Sequence, residues 1–120
     1  MKVLLVDDSG LARRRARQML EAEGYEVIEA EDGAVALERY FIDRPDLVLL
    51  DLVMRGMYGL DVLVKLRQLD PAACVVVVSA DVQESSQQMV QEAGARAFLI
   101  KPVERDSMLA TVKGVLETCP

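Results

Sequence analysis

Five short apolar runs alternate with five helical patterns along this chain, which predicts an α/β domain built on a parallel sheet with helices on both faces. The runs at residues 47–50 and 74–78 are nearly continuous rather than alternating, as strands covered on both faces must be. Strict strand–helix–strand order further implies right-handed crossovers, so the expected architecture is one doubly wound (βα)5 domain over residues 1–120. No linker, repeat or low-complexity segment interrupts it.

The first predicted strand, residues 2–6, runs directly into Asp7 and Asp8. Leu11, Ala12, Ala16, Met19 and Leu20 then recur at helical spacing and predict a helix over 11–23, with Ser9 placed to cap it and Gly24 to end it. In the second run, residues 25–30, Glu26 and Glu29 break the apolar pattern, which puts this strand nearer an edge. Residues 34–43 read as a helix that stops before Pro45, because the residue preceding a proline disfavours helical backbone. After the third strand at 47–50, Leu60, Leu63, Leu66 and Leu69 form an apolar stripe closed by Pro71. The fourth strand at 74–78 is followed by a helix over 82–93 ending at Gly94, then by a fifth strand at 97–100. Met108, Leu109, Val112, Val115 and Leu116 mark the last helix.

A formal charge of −6 argues against nucleic acid or an anionic membrane as the main partner, since both need a positive surface. Arg13, Arg14, Arg15 and Arg17 come closest to a basic patch, but without interleaved aromatics they read as a solvated helix face. Two cysteines, Cys74 and Cys119, make no disulfide framework, which fits a reducing cytoplasm. The first apolar stretch leads to aspartates rather than a cleavage site, and no run is long enough to span a bilayer.

In an open parallel sheet the ligand crevice lies beyond the C-terminal strand ends. Asp7 and Asp8 follow the first strand, Asp51 the third, Ser79 the fourth and Lys101 the fifth. Taken singly, each has a plain structural reading: an aspartate can form a turn or cap, Ser79 can cap the next helix, and Lys101 can be a surface lysine. Together they bring three carboxylates, a hydroxyl and an ammonium to one edge. Clustered carboxylates stay ionised only beside compensating positive charge. An all-oxygen set of this kind suits Mg²⁺, and Lys101 adds a movable cation for a phosphoryl group.

These residues stand in motifs that resemble the receiver domain of bacterial two-component response regulators across essentially the whole chain. The motifs are Val-Asp-Asp-Ser at 6–9, Leu-Leu-Asp-Leu-Val-Met at 49–54 with Gly59 following, Val-Ser-Ala at 78–80, and Ala-Gly-Ala-Arg-Ala-Phe-Leu-Ile-Lys-Pro at 93–102. The resemblance implies a flavodoxin-like fold of strand order 2-1-3-4-5. It makes Asp51 the phosphoryl acceptor, with Asp7, Asp8, Asp51 and the Val53 carbonyl holding Mg²⁺. Lys101 would pair with the acceptor and later with the phosphoryl group, Ser79 would bind another phosphoryl oxygen, and Phe98 would be the aromatic switch.

The implied partners are a sensor histidine kinase or phosphotransfer protein as donor, and a downstream protein on the face of the fourth helix, fifth strand and fifth helix. The Lys101–Pro102 peptide is expected to be cis, turning the lysine back over the strand ends, because X–Pro tolerates that isomer best. Departures from the family pattern are Arg55, Tyr58, Ser79 and Phe98, where proline, aspartate, threonine and tyrosine are common. Arg55 would put a cation near the pocket mouth, and Phe98, lacking a hydroxyl, would be held inward by packing alone.

Three rivals are weaker. A phosphohydrolase of the haloacid dehalogenase type wants an acid two residues after the nucleophile, where Val53 stands. A flavin module would not place Asp7 and Asp8 where a phosphate must bind. A docking-only pseudo-receiver would not keep all five site residues. A stand-alone switch is preferred over a domain of a longer regulator.

Overall fold

The computed structural model describes residues 1–54, 56, 58–80 and 83–119. The elements run β1 (Lys2–Val6), α1 (Gly10–Ala22), β2 (Glu26–Ala30), α2 (Gly33–Asp43), β3 (Leu47–Asp51), α3 (Gly59–Leu69), β4 (Val75–Ser79), α4 (Glu84–Glu92), β5 (Ala97–Ile100) and α5 (Arg105–Thr118). All strand pairs are parallel, in the order β2-β1-β3-β4-β5, as the resemblance implies.

Successive strand residues point to opposite faces, and both faces are apolar. Leu4, Val6, Val48, Leu50, Val75 and Val77 pack with Ala36 and Tyr40 of α2, Val62, Leu63 and Leu66 of α3 and Val90 of α4. Val3, Leu5, Leu47, Leu49, Cys74 and Val76 pack on the other side with Leu20 of α1 and Met108, Val112 and Val115 of α5. This two-sided burial is why the central runs read as continuous. As predicted, β2 lies at an edge, with Glu26 exposed.

Local chemistry fixes the helix ends. The Ser9 hydroxyl accepts the Ala12 amide at 3.2 Å, and Gly24 follows α1 at φ 88°, a left-handed conformation that suits glycine. Asp32, which periodicity did not single out, caps α2 by accepting the Val35 amide at 2.9 Å. Ser79 is not the N-cap of α4, which starts at Glu84 with Gln83 in that position. The predicted helix start at Val82, and Arg55, both fall outside the described residues.

Two sequence readings are corrected. Leu69 is 62% exposed, whereas Leu63 and Leu66 are fully buried. At about 100° per residue, a spacing of three drifts steadily round the helix and leaves Leu60 and Leu69 about 180° apart, so one stripe cannot bury both ends. The cysteines also differ from expectation: Cys74 and Cys119 are joined in a disulfide across a sequence separation of 45 residues. A count of two excludes a framework, but it says nothing about whether β4 and the end of α5 converge.

Leu66→Ala is expected to destabilise the fold by about 2–5 kcal/mol, while Leu69→Ala should stay within about 0.5 kcal/mol. Denaturant midpoints of the two variants check this, and equal losses would contradict the drift.

Candidate functional site

The end of β1 delivers Asp7, whose amide donates to the Ala30 carbonyl at 3.1 Å and so extends the sheet by one more residue. Its Oδ1 accepts the Ser9 amide at 2.9 Å, which fixes the carboxylate just ahead of α1. Asp51 is the last residue of β3 and only 6% exposed. The chain then turns sharply. Leu52 donates to the Val78 carbonyl and accepts the Gly59 amide at 2.8 Å, bringing the start of α3 over the strand end. A side chain at Gly59 would put Cβ 2.3 Å from the Asp51 carbonyl oxygen, so this close approach requires glycine.

Lys101 follows β5, its amide bonded to the Ser79 carbonyl at 2.9 Å, and its peptide bond to Pro102 is cis. The ammonium donates to Asp7 Oδ2 at 2.9 Å and to Asp51 Oδ2 at 3.3 Å. A contact between Lys101 and the Asp51 carboxylate is one the resemblance implies. The shorter bond to Asp7 had no signal in the sequence, because it depends on where a residue 94 positions away in sequence is delivered.

Oxygens of Asp7, Asp8 and Asp51 all lie within 4.8 Å of one another, a spacing and donor set that fit a hard divalent cation. The Val53 amide donates to Asp51 Oδ1 at 3.3 Å, while its side chain is exposed. Ser79 is fully buried at the end of β4, one residue beyond the Asp51–Val78 register pair. Phe98 stands apart from this cluster, half-buried against the core beneath α2, α3 and α4. Asp51 is not sealed off, because it borders a cavity of about 470 Å³ that Asp7, Lys101, Leu49 and Met108 also line.

The arginine run divides in two. Arg14 and Arg15 are exposed, as read from the sequence. Arg13 instead donates to Glu29 at 3.0 Å and to the Asp7 carbonyl, and Arg17 donates to Glu29 at 2.7 Å. The hydrogen bond from Arg17, with Arg13 contributing, holds the Glu29 carboxyl below its ordinary range despite partial burial. The four-residue spacing of Arg13 and Arg17 marks a shared helix face. Its acidic partner emerges only from the β1–β2 register.

Burial, then the charge of Asp7, pushes the Asp51 carboxyl up to about 6, and Lys101 only partly reverses this. Burial alone would lower the Lys101 ammonium, but its bonds to Asp7 and Asp51 outweigh that and raise it.

The chain matches the family model of the response regulator receiver domain over residues 3–113. It is 36% identical to the chemotaxis protein CheY of Bacillus subtilis over 116 residues, covering 96% of this chain and 97% of that protein. A CheY-like response regulator receiver domain protein from Methanospirillum hungatei superposes with a TM-score of 0.92 at 29% identity, covering 97% of this chain and 93% of the other. The CheX–CheY–BeF3–Mg complex from Borrelia burgdorferi gives a TM-score of 0.92 at 32% identity, with coverages of 96% and 88%.

Because folding raises the Asp51 pKa from its ordinary 3.8 to about 6, the folded state without metal binds this proton more tightly than the unfolded chain. The stabilisation is full below about pH 4 and is lost as pH rises through 6. In EDTA, Asp51→Asn is therefore expected to melt above the parent at pH 7.5, with the gap closing as pH falls and gone near pH 4. Thermal melts across that range test it, and a pH-independent gap would remove burial as the cause.

Proposed function

The chain belongs to the response regulator receiver domain family, and from that premise we propose that it is a phosphorylation switch whose acceptor is Asp51. The observation that carries the proposal is the placement of a buried, reachable carboxylate at a strand end, hydrogen-bonded by Lys101 and grouped with Asp7 and Asp8. Asp51 attacks the phosphorus of a phosphohistidine, the new P–O bond forms as the P–N bond breaks, and the departing imidazole takes up a proton. The chain contains no histidine, so the donor histidine lies outside it, in a sensor kinase or phosphotransfer protein. That donor is the basis for assigning the switch to the cytoplasm. Among the described residues no helix is long and apolar enough to cross a membrane.

Asp7, Asp8, Asp51 and the Val53 carbonyl would hold Mg²⁺, which when bound neutralises charge on the transferring oxygens. Lys101 already bonds the acceptor, and its ammonium passes to a phosphoryl oxygen once Asp51 is phosphorylated. Ser79, at the neighbouring strand end, donates its hydroxyl to a second oxygen. In-line attack by water later cleaves the acyl phosphate, returning phosphate and the free carboxylate. The output is a population shift in which Ser79 and Lys101 engage the phosphoryl group and Phe98 changes its packing, altering the α4–β5–α5 face that a downstream protein reads. The magnesium and the bound CheX in the Borrelia complex support this reading by likeness.

With Mg²⁺ and acetyl phosphate, intact-mass measurement should find one acid-labile phosphoryl group on the parent and none on Asp51→Asn. Label retained in that variant, or found on Ser79, would refute the assignment. Mg²⁺ should raise the melting temperature of the parent, and Asp8→Ala should lose most of that shift. Equal shifts in both proteins would move the metal elsewhere.

A further inference from the structure

Both cysteines of the chain lie away from the acidic edge, bonded to each other where β4 begins. Cys74 precedes β4 at the opposite end from Ser79, which at about 3.3 Å per residue is roughly 16 Å from the strand's functional end. It is 4% exposed and packs in the core between the sheet, α1 and α5. Cys119 is the C-cap of α5, partly buried against the same core, with its amide bonded to the Val115 carbonyl at 3.0 Å. Their Cα atoms are 6.3 Å apart, within the span a disulfide bridges, and they are bonded to each other.

The placement divides the chemistry between the two sulfurs. Cys119, at a helix end where the last turn frays readily, is reachable by a small reagent. Cys74 is shielded by the core but faces Cys119, as a resolving thiol must. In a chain with a full apolar core a single bridge is not needed as a scaffold, and in the reducing compartment proposed above, on which this step rests, isolated disulfides are characteristically transient and redox-sensing.

We propose that Cys74 and Cys119 form a reversible redox site that exchanges with small disulfides of the glutathione class. The Cys119 thiolate attacks one sulfur of the oxidised reagent and expels one small thiolate. The Cys74 thiolate then displaces the second small thiolate from the mixed disulfide, forming the Cys74–Cys119 bond. The two protein thiols give up two protons and two electrons, and the small disulfide becomes two thiols. The closed bridge ties the last turn of α5 to the base of β4, so redox state governs how firmly α5 is held against the sheet.

The test uses the full chain, equilibrated in buffers of varied glutathione ratio, acid-quenched, alkylated and weighed. The expected result is a reversible, monomeric transition between two alkylated cysteines and none. The oxidised form should melt about 5–15 °C above the reduced form. Cys119→Ser, a change at a partly exposed helix cap, should abolish that difference. Thiols that remain alkylatable at every ratio, glutathione retained on Cys119 without closure, or a disulfide-linked dimer would each overturn the proposal. None of these readouts depends on phosphorylation, so they stand or fall separately from the role of Asp51.

Discussion

The ammonium of Lys101, held 2.9 Å from Asp7 and 3.3 Å from Asp51, is the contact on which the rest of this sheet edge depends. An acidic cluster in a poorly solvated place repels itself, and burial already drives Asp51 toward its neutral form. A single lysine delivered from the far side of the sheet partly compensates two of the three carboxylates. It does so as a tethered charge shared between carboxylates that follow two different strands.

Everything that delivers Lys101 and the aspartates is a consequence of the core. Strands buried on both faces have no freedom of register, since a slip by one residue would exchange the two apolar sets. Asp51 opposite Val78 and Ser79 opposite Ile100 are therefore consequences of where Val48, Leu50, Val75 and Val77 must sit. The loops add close approaches of their own, as Gly59 does above the Asp51 carbonyl.

The same frame holds a second, unrelated pair of groups at its other end. Cys74 and Cys119 meet because α5 runs back along the sheet to the level where β4 begins. One end of β4 thus carries Ser79 and the other lies next to sulfur chemistry, with an apolar strand between them. Events at the two ends act on one rigid element without sharing a side chain.

Periodicity and the residues after each apolar run were enough to predict the ten elements, the parallel sheet and the placing of Asp7, Asp8, Asp51, Ser79 and Lys101 at the C-terminal strand ends, because each is a local pattern multiplied by one rule of strand order. Local pattern was insufficient wherever the outcome turned on distance between remote segments. Leu69 looked like core until the angular drift of α3 turned it to solvent. Arg13 and Arg17 looked solvated until the β1–β2 register brought Glu29 beneath them. The preference of Lys101 for Asp7 and the meeting of the two cysteines belong to the same class. Sequence alone determined which polar side chains follow the strands and at which end of the sheet they stand. Only the tertiary structure decided which charges and sulfurs touch, because contact is set to within an ångström by packing that no single segment contains.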